Sequence, residues 1–203
     1  LIDTWLASVE EEDLADLSPE ILASVLWDGF SRIAGRSPED CQIEALRYAD
    51  GRGGHASALL ILNRDMPFLV DSIVMALRRM RIPSRAVVNA VLSVGRGAGG
   101  VERTAPAKTG SDPLESYVLV LLSDEIAEQE LNALVSNIRM VAGDAATVHR
   151  DSAAIAERMT QVAAAVDAKG TDEGKEVAAF LEWAKKGGFE AFGYAYYTIA
   201  QGE

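Results

Sequence analysis

The feature that most constrains this chain is a pair of short apolar runs, Ser57 to Asn63 and Ser116 to Leu122, each followed by a helix with one apolar face. Runs of that length, bounded by turn residues, read as buried strands. Pro67 opens the first helix, which carries Leu69, Ile73, Ala76, Leu77 and Met80 on one side and is stopped by Pro83. Ser123 and Asp124 cap the second, which carries Leu131, Leu134, Val135 and Ile138 and ends at Gly143. Between the two units Arg85 to Val94 reads as a long, valine-rich strand. The order is therefore strand, helix, strand, strand, helix. One more strand makes it the ferredoxin-like split βαβ arrangement, an α+β antiparallel sheet with two helices on one face. Ala145 to His149 could supply that strand, or Cys41 to Tyr48 could fill an edge. Ser57–Asp65 also lays over Ser116–Asp124 without a gap, as a duplicated βαβ unit would leave, although apolar strands resemble one another easily.

The flanks are helical. Ser18-Pro19-Glu20 supplies a capping hydroxyl, a first-turn proline and an acid at the positive end of a helix dipole. Ile21, Leu22, Val25, Leu26, Phe30 and Ile33 follow at helical spacing, and Gly35 is placed to end that helix. Cys41 to Tyr48 alternates weakly, Asp50 to Gly54 is a turn, and Gly95 to Pro113 is a glycine-rich loop. Two more helices are expected near 152–168 and 172–186, the second begun by Thr171-Asp172-Glu173 and ended by Gly187-Gly188. Phe189 to Ile199 then alternates aromatic and small residues, as a strand would. The expected organisation is a helical leader over 1–36, an α+β domain over 37–150, a helical connector over 151–187 and the first strand of a following, truncated domain over 188–203.

A formal charge of −12 argues against general nucleic-acid binding, which needs basic surface to release counterions. The same balance disfavours anionic membrane surfaces. No apolar stretch approaches the roughly 20 residues of a membrane span, and no signal peptide opens the chain. Cys41 is the single cysteine, so no intrachain disulfide forms, which is compatible with a cytoplasmic setting. The chain starts at Leu1 rather than Met, and we expect it to be a segment of something longer.

Few residues gather into anything that carries chemistry. Gly95-Arg96-Gly97-Ala98-Gly99-Gly100 matches the dinucleotide fingerprint in form, but that motif works by opening a helix, and Val101 to Pro113 has no helical period. His55 and His149 lie far apart beside loops, so no metal set is expected. Carboxylates are scattered, and neither a nucleophile elbow nor a paired acid is visible, so no catalytic residue is assigned. Arg78, Arg79, Arg81 and Arg85 form the one basic cluster, read as helix-end charges or as a docking surface for an anionic partner. The candidate ligand site is Asn63-Arg64-Asp65-Met66, where the first central strand meets its helix. Free backbone N–H groups at a helix start suit an anion, against the plainer reading that Asp65 and Pro67 simply cap the helix.

Arg64-Asp65-Met66-Pro67-Phe68-Leu69-Val70-Asp71-Ser72-Ile73 resembles a segment of the large bacterial NAD-specific glutamate dehydrogenases, in which a D-x-P-F-L-V-D-S run opens the first helix of an amino-terminal ACT-like domain. Glu176 to Trp183 and Gly188 to Tyr197 resemble the E-V-x-x-F-L-x-W and N-F-x-F-L-G-Y-R-x-Y stretches of that family. Gly188 stands where asparagine is usual and Ala195 where arginine is usual. The resemblance implies an ACT-like domain over 37–150 and a much longer parent that oxidises L-glutamate to 2-oxoglutarate with NAD. None of the family's catalytic or nucleotide-binding residues falls on a motif of this chain, so no cofactor is expected in the segment itself. The implied role is regulation and assembly. The implied partners are the rest of the parent polypeptide, further copies in a homo-oligomer and a small-molecule effector. A self-standing amino-acid-binding module is the alternative.

Overall fold

The computed structural model describes residues 18–33, 36–37, 40–98, 100–107 and 112–197. The chain divides into two compact units, Leu1–Ala145 and Ala146–Glu203.

The first unit is built on five antiparallel strands: β1 (Gln42–Ala49), β2 (His55–Arg64), β3 (Ser84–Gly97), β4 (Gly100–Pro106) and β5 (Leu114–Leu122). Their order across the sheet is β1-β2-β5-β3-β4. Helix α1 (Pro19–Ile33) precedes the sheet, α2 (Leu69–Met80) links β2 to β3, and α3 (Glu128–Asp167) follows β5. The two apolar runs occupy the middle, β2 between β1 and β5, and β5 between β2 and β3. Alternate residues of each run serve opposite faces. Ala58, Leu60, Leu62, Tyr117, Leu119 and Leu121 share a core with Val25 and Leu26 of α1. Leu59, Ile61, Val118, Val120 and Leu122 share the other core with Leu69, Ile73 and Leu77 of α2 and with Leu134 and Ile138 of α3. The runs are unbroken because neither face of these strands meets water.

The α+β expectation holds, with α2 and the start of α3 on one face of an antiparallel sheet. The strand that completes the arrangement is β1, which comes before β2 in the chain; Ala145 to His149 lies inside α3. Gly143 does not end that helix. It is exposed, nothing lies within 4 Å of where its Cβ would be, and one glycine costs a helix only about 1 kcal/mol. The helices expected to be separate, ending at Gly143 and beginning near 152, are one helix of 40 residues. Its first residue is Glu128, because Asp124 has another role: its carbonyl accepts from the Ser57 N–H at 3.1 Å.

The glycine cluster lies in a hairpin between β3 and β4. Gly95 to Gly97 end β3, Gly100 begins β4 with φ 111°, and the register slips between Gly95 and Arg96. Glycine there tolerates both the bulge and the positive φ. The expected leader is, over its described part, the core helix α1, while residues 1–17 lie outside the described residues.

In the second unit α4 (Asp172–Trp183) starts as its sequence predicts, with the Thr171 hydroxyl accepting from the Gly174 N–H at 3.0 Å. A single π turn (Ala184–Gly188) follows, with Gly187 at φ 95°. Residues 189–197 then run without regular secondary structure. The strand expected there is not formed, since no strand of the described residues pairs with it; residues 198–203 lie outside the description.

Candidate functional site

The four candidate ligand residues occupy the end of β2 and the turn into α2. Of their side chains only those of Asn63 and Met66 are shown in contact. Asn63 and Met66 are buried, and the Asn63 amide donates to the Arg64 carbonyl at 3.0 Å and to the Met66 sulfur at 3.6 Å. Asp65 ties the turn to β5: its N–H donates to the Leu114 carbonyl at 2.9 Å, and its carboxylate accepts from the Ser116 hydroxyl at 2.5 Å. Arg64 alone of the four points a charged group into solvent.

Asp65 and Pro67 therefore do not cap α2. The cap position is Phe68, held at φ 66°, and no side chain accepts from the first turn. A non-glycine residue in the left-handed region costs energy and persists only when its surroundings fix it. Here Leu69, the next residue, is buried in the core, and Ser72 donates to the Phe68 carbonyl at 2.9 Å.

The most developed polar cluster of the unit is one that sequence reasoning missed. The Glu115 carboxylate, buried at the start of β5, accepts from Arg96 Nε at 2.9 Å and Nη2 at 3.0 Å, and pairs with Arg36 Nη2 at 2.6 Å. Arg96 Nη1 donates to the Arg36 carbonyl at 2.7 Å, and Arg36 Nη1 donates to the Asp40 carbonyl. Burial pushes the Glu115 carboxyl up, but hydrogen bonds and charge from Arg96 and Arg36 outweigh this and hold it below its ordinary value. Two residues on, burial and the Glu115 charge push the Tyr117 hydroxyl well up. The signal was parity. Glu115 shares a face with Tyr117, Leu119 and Leu121, and Arg96 with Leu92 and Val94, so both were bound inward. These ion pairs and hydrogen bonds fasten the chain after α1 to β3 and β5.

The remaining sequence candidates separate. The Gly95–Gly100 motif opens no helix, so it makes no phosphate cradle of the dinucleotide kind. His55 begins β2, and His149 lies within α3 rather than beside a loop; both are exposed. Among the described residues no three His, Cys, Asp or Glu gather as a metal site would require. Arg78 and Arg79 sit exposed in the last turn of α2, Arg81 follows it at φ 58°, and Arg85 donates to the Asp50 carbonyl at 3.3 Å from β3. Two of the four arginines lie in α2, one at its C-cap and one in β3. No helix of the described residues is long and apolar enough to cross a membrane.

Comparison with known proteins identifies the surroundings of this fold. Residues 1–138 match the family model described as glutamate dehydrogenase, ACT1 domain. The chain is 28% identical to an NAD-specific glutamate dehydrogenase of Halomonas elongata, over 97% of this chain and 13% of that protein. It is 32% identical to that of Pseudomonas aeruginosa over 71% of this chain and 9% of the relative. For Mycobacterium tuberculosis the figures are 26%, 92% and 12%. The chain thus spans about an eighth or less of the length of these relatives.

Proposed function

The chain belongs to the glutamate dehydrogenase ACT1-domain family, and on that premise we propose that it is a non-catalytic regulatory and assembly segment of a cytoplasmic, NAD-dependent enzyme that converts L-glutamate to 2-oxoglutarate. The observation that carries the assembly part is an open sheet edge. β4 pairs with β3 only from Leu92 to Gly97, while β5 covers the other side of β3 from Ser84 to Ser93. Arg85 to Val91 therefore has no strand on its outer side among the described residues. Such an edge is a template for a strand from a second copy. Ser116 to Leu122, although apolar throughout, is central in the sheet and offers no such edge.

The regulatory part rests on Arg64 beside the start of α2. An exposed guanidinium and first-turn N–H groups without a side-chain cap suit the carboxylate of a small effector.

Sedimentation of the isolated chain, with calorimetric titration of NAD and 2-oxoglutarate into the same sample, tests this reading. We expect a mass above the 21.7 kDa of one copy and no tight binding of either ligand. Glutamate-dependent NAD reduction is expected of the full-length polypeptide and not of this chain. Micromolar NAD binding by a strictly monomeric chain would overturn the proposal.

A further inference from the structure

We propose that residues 189–197 are an edge strand awaiting its sheet, and that the rest of the same polypeptide supplies that sheet and closes the apolar hollow beside it. The inference rests on the reading above that the chain is part of a longer enzyme.

Four observations support it. First, the segment leaves the π turn already extended, with Phe189 at φ −156° and ψ 143°, and no described strand pairs with it. Second, its aromatic side chains stay in solvent: Phe189, Phe192, Tyr194, Tyr196 and Tyr197 are all exposed, Tyr197 to 82%. Isolated exposed aromatics are ordinary, but five within nine residues are a concentration of exposed apolar side chains of the kind that marks an interface. Third, the segment borders a hollow of about 420 Å³ with an almost wholly apolar lining, including Ile155, Met159 and Val162 of α3, Phe180 of α4, and Phe189 and Tyr194 of the segment. Phe180 and Trp183 extend the apolar surface along α4, their ring centroids 5.7 Å apart. Fourth, the segment is held in place at both ends. Gly188 packs so closely on the Trp183 indole that a Cβ there would lie 2.3 Å from it, and the Arg158 guanidinium sits 5.6 Å from the Tyr196 ring centroid. One side of the segment faces the helices of its own unit. The five aromatic side chains keep most of their surface open to a partner.

The occupant follows from length. The relatives are about eight times longer than the matched segment, so most of such a polypeptide lies outside this chain. A domain tethered in the same chain meets the segment at millimolar effective concentration.

Amide hydrogen exchange tests the proposal without any variant. Peptides covering 189–197 are compared in the 203-residue chain and in the full-length polypeptide that carries it. The expected result is fast exchange in the chain alone and at least about hundredfold slower exchange at alternate amides in the full-length protein. Equally fast exchange in both overturns the proposal. So does slow exchange in the chain alone: if it grows with concentration the occupant is a second copy, and if it does not the segment is ordered by itself. Assaying the same full-length sample for glutamate-dependent NAD reduction separates the two readings. Protection without activity sinks the dehydrogenase assignment and leaves the strand standing, and activity without protection does the reverse.

Discussion

At the scale of the residue, Glu115 and Arg81 show how an apolar pattern conceals what individual side chains do. Removing the Glu115 charge leaves two guanidiniums buried against one another, and breaking a buried pair in this way costs about 3–5 kcal/mol. Glu115→Gln is expected to lower the unfolding free energy from urea titration by that much near neutral pH. Because the carboxyl is held below its ordinary 4.5, the folded state binds fewer protons there than the unfolded state. The stabilisation is therefore full above about pH 4.5 and fades as pH falls through the lower, folded value. The gap between wild type and variant should narrow in acid, and a gap independent of pH would show that charge is not what matters at Glu115. Parity alone would have placed Glu115 inward, but its partners could not be read, since Arg36 and Arg96 lie 79 and 19 positions away. Arg81 is a local case. It closes α2 in the left-handed conformation, its N–H donating to the Arg78 carbonyl at 3.1 Å while Ile82 donates to Leu77 at 3.0 Å. This hydrogen-bond pattern usually carries glycine. Arg81→Gly should raise stability by about 0.5–1 kcal/mol in the same assay, and a loss would mean that the exposed arginine makes a contact worth more than its strain.

At the scale of the element, periodicity was informative about faces and poor about ends. The stripe on α2 was legible because Leu69, Ile73, Ala76 and Leu77 recur at helical spacing, and all four are buried. Leu77, 1% exposed against the sheet, should cost about 2–5 kcal/mol when changed to Ala, whereas its exposed neighbour Arg78 should tolerate Ala within about 1 kcal/mol. An unchanged midpoint for Leu77→Ala would place the wrong face inward. The start of α2 was not legible, since Asp65 and Pro67 looked like caps while tertiary partners at Leu114 and Ser116 claimed Asp65. Gly143 misled in the same way, because a glycine ends a helix only when something else stops the chain from continuing. Gly174 carries a constraint that periodicity hides. A Cβ there would lie 2.5 Å from the Val166 carbonyl, so the first turn of α4 can approach the last turn of α3 only without a side chain. Gly174→Ala must push the two turns apart, and helix propensity, which favours Ala by about 1 kcal/mol, acts in the opposite direction. A net loss of stability is expected, and a gain would show that the turns yield at little cost.

At the scale of the whole molecule, the sheet's composition was legible and its order was not. Each strand announces itself locally, but which strand completes the arrangement is decided by pairing across distance. β1, weakly patterned and lying before the first apolar run, takes the place beside β2. The division into units follows from where burial stops. One apolar core ends at Leu121 and the other at Ala145, and beyond Ala145 only Ile155, Ala163 and Ala184 are buried apolar residues among those described. Two of those three are alanines, which bury little area, so the hydrophobic driving force is concentrated in the first unit. A fragment of residues 1–151 retains every described residue of both cores, together with the Arg36–Glu115–Arg96 cluster. It should therefore unfold in one cooperative transition, with a stability within about 1 kcal/mol of the first unit in the full chain. Cutting α3 after Asp151 removes a stretch of helix whose only buried apolar residues are Ile155 and Ala163, neither of them a member of the two cores. Urea titration of both chains by far-ultraviolet circular dichroism would decide. A fragment that never shows a cooperative transition would mean that the second unit, for all its solvent-exposed aromatics, is needed to fold the first.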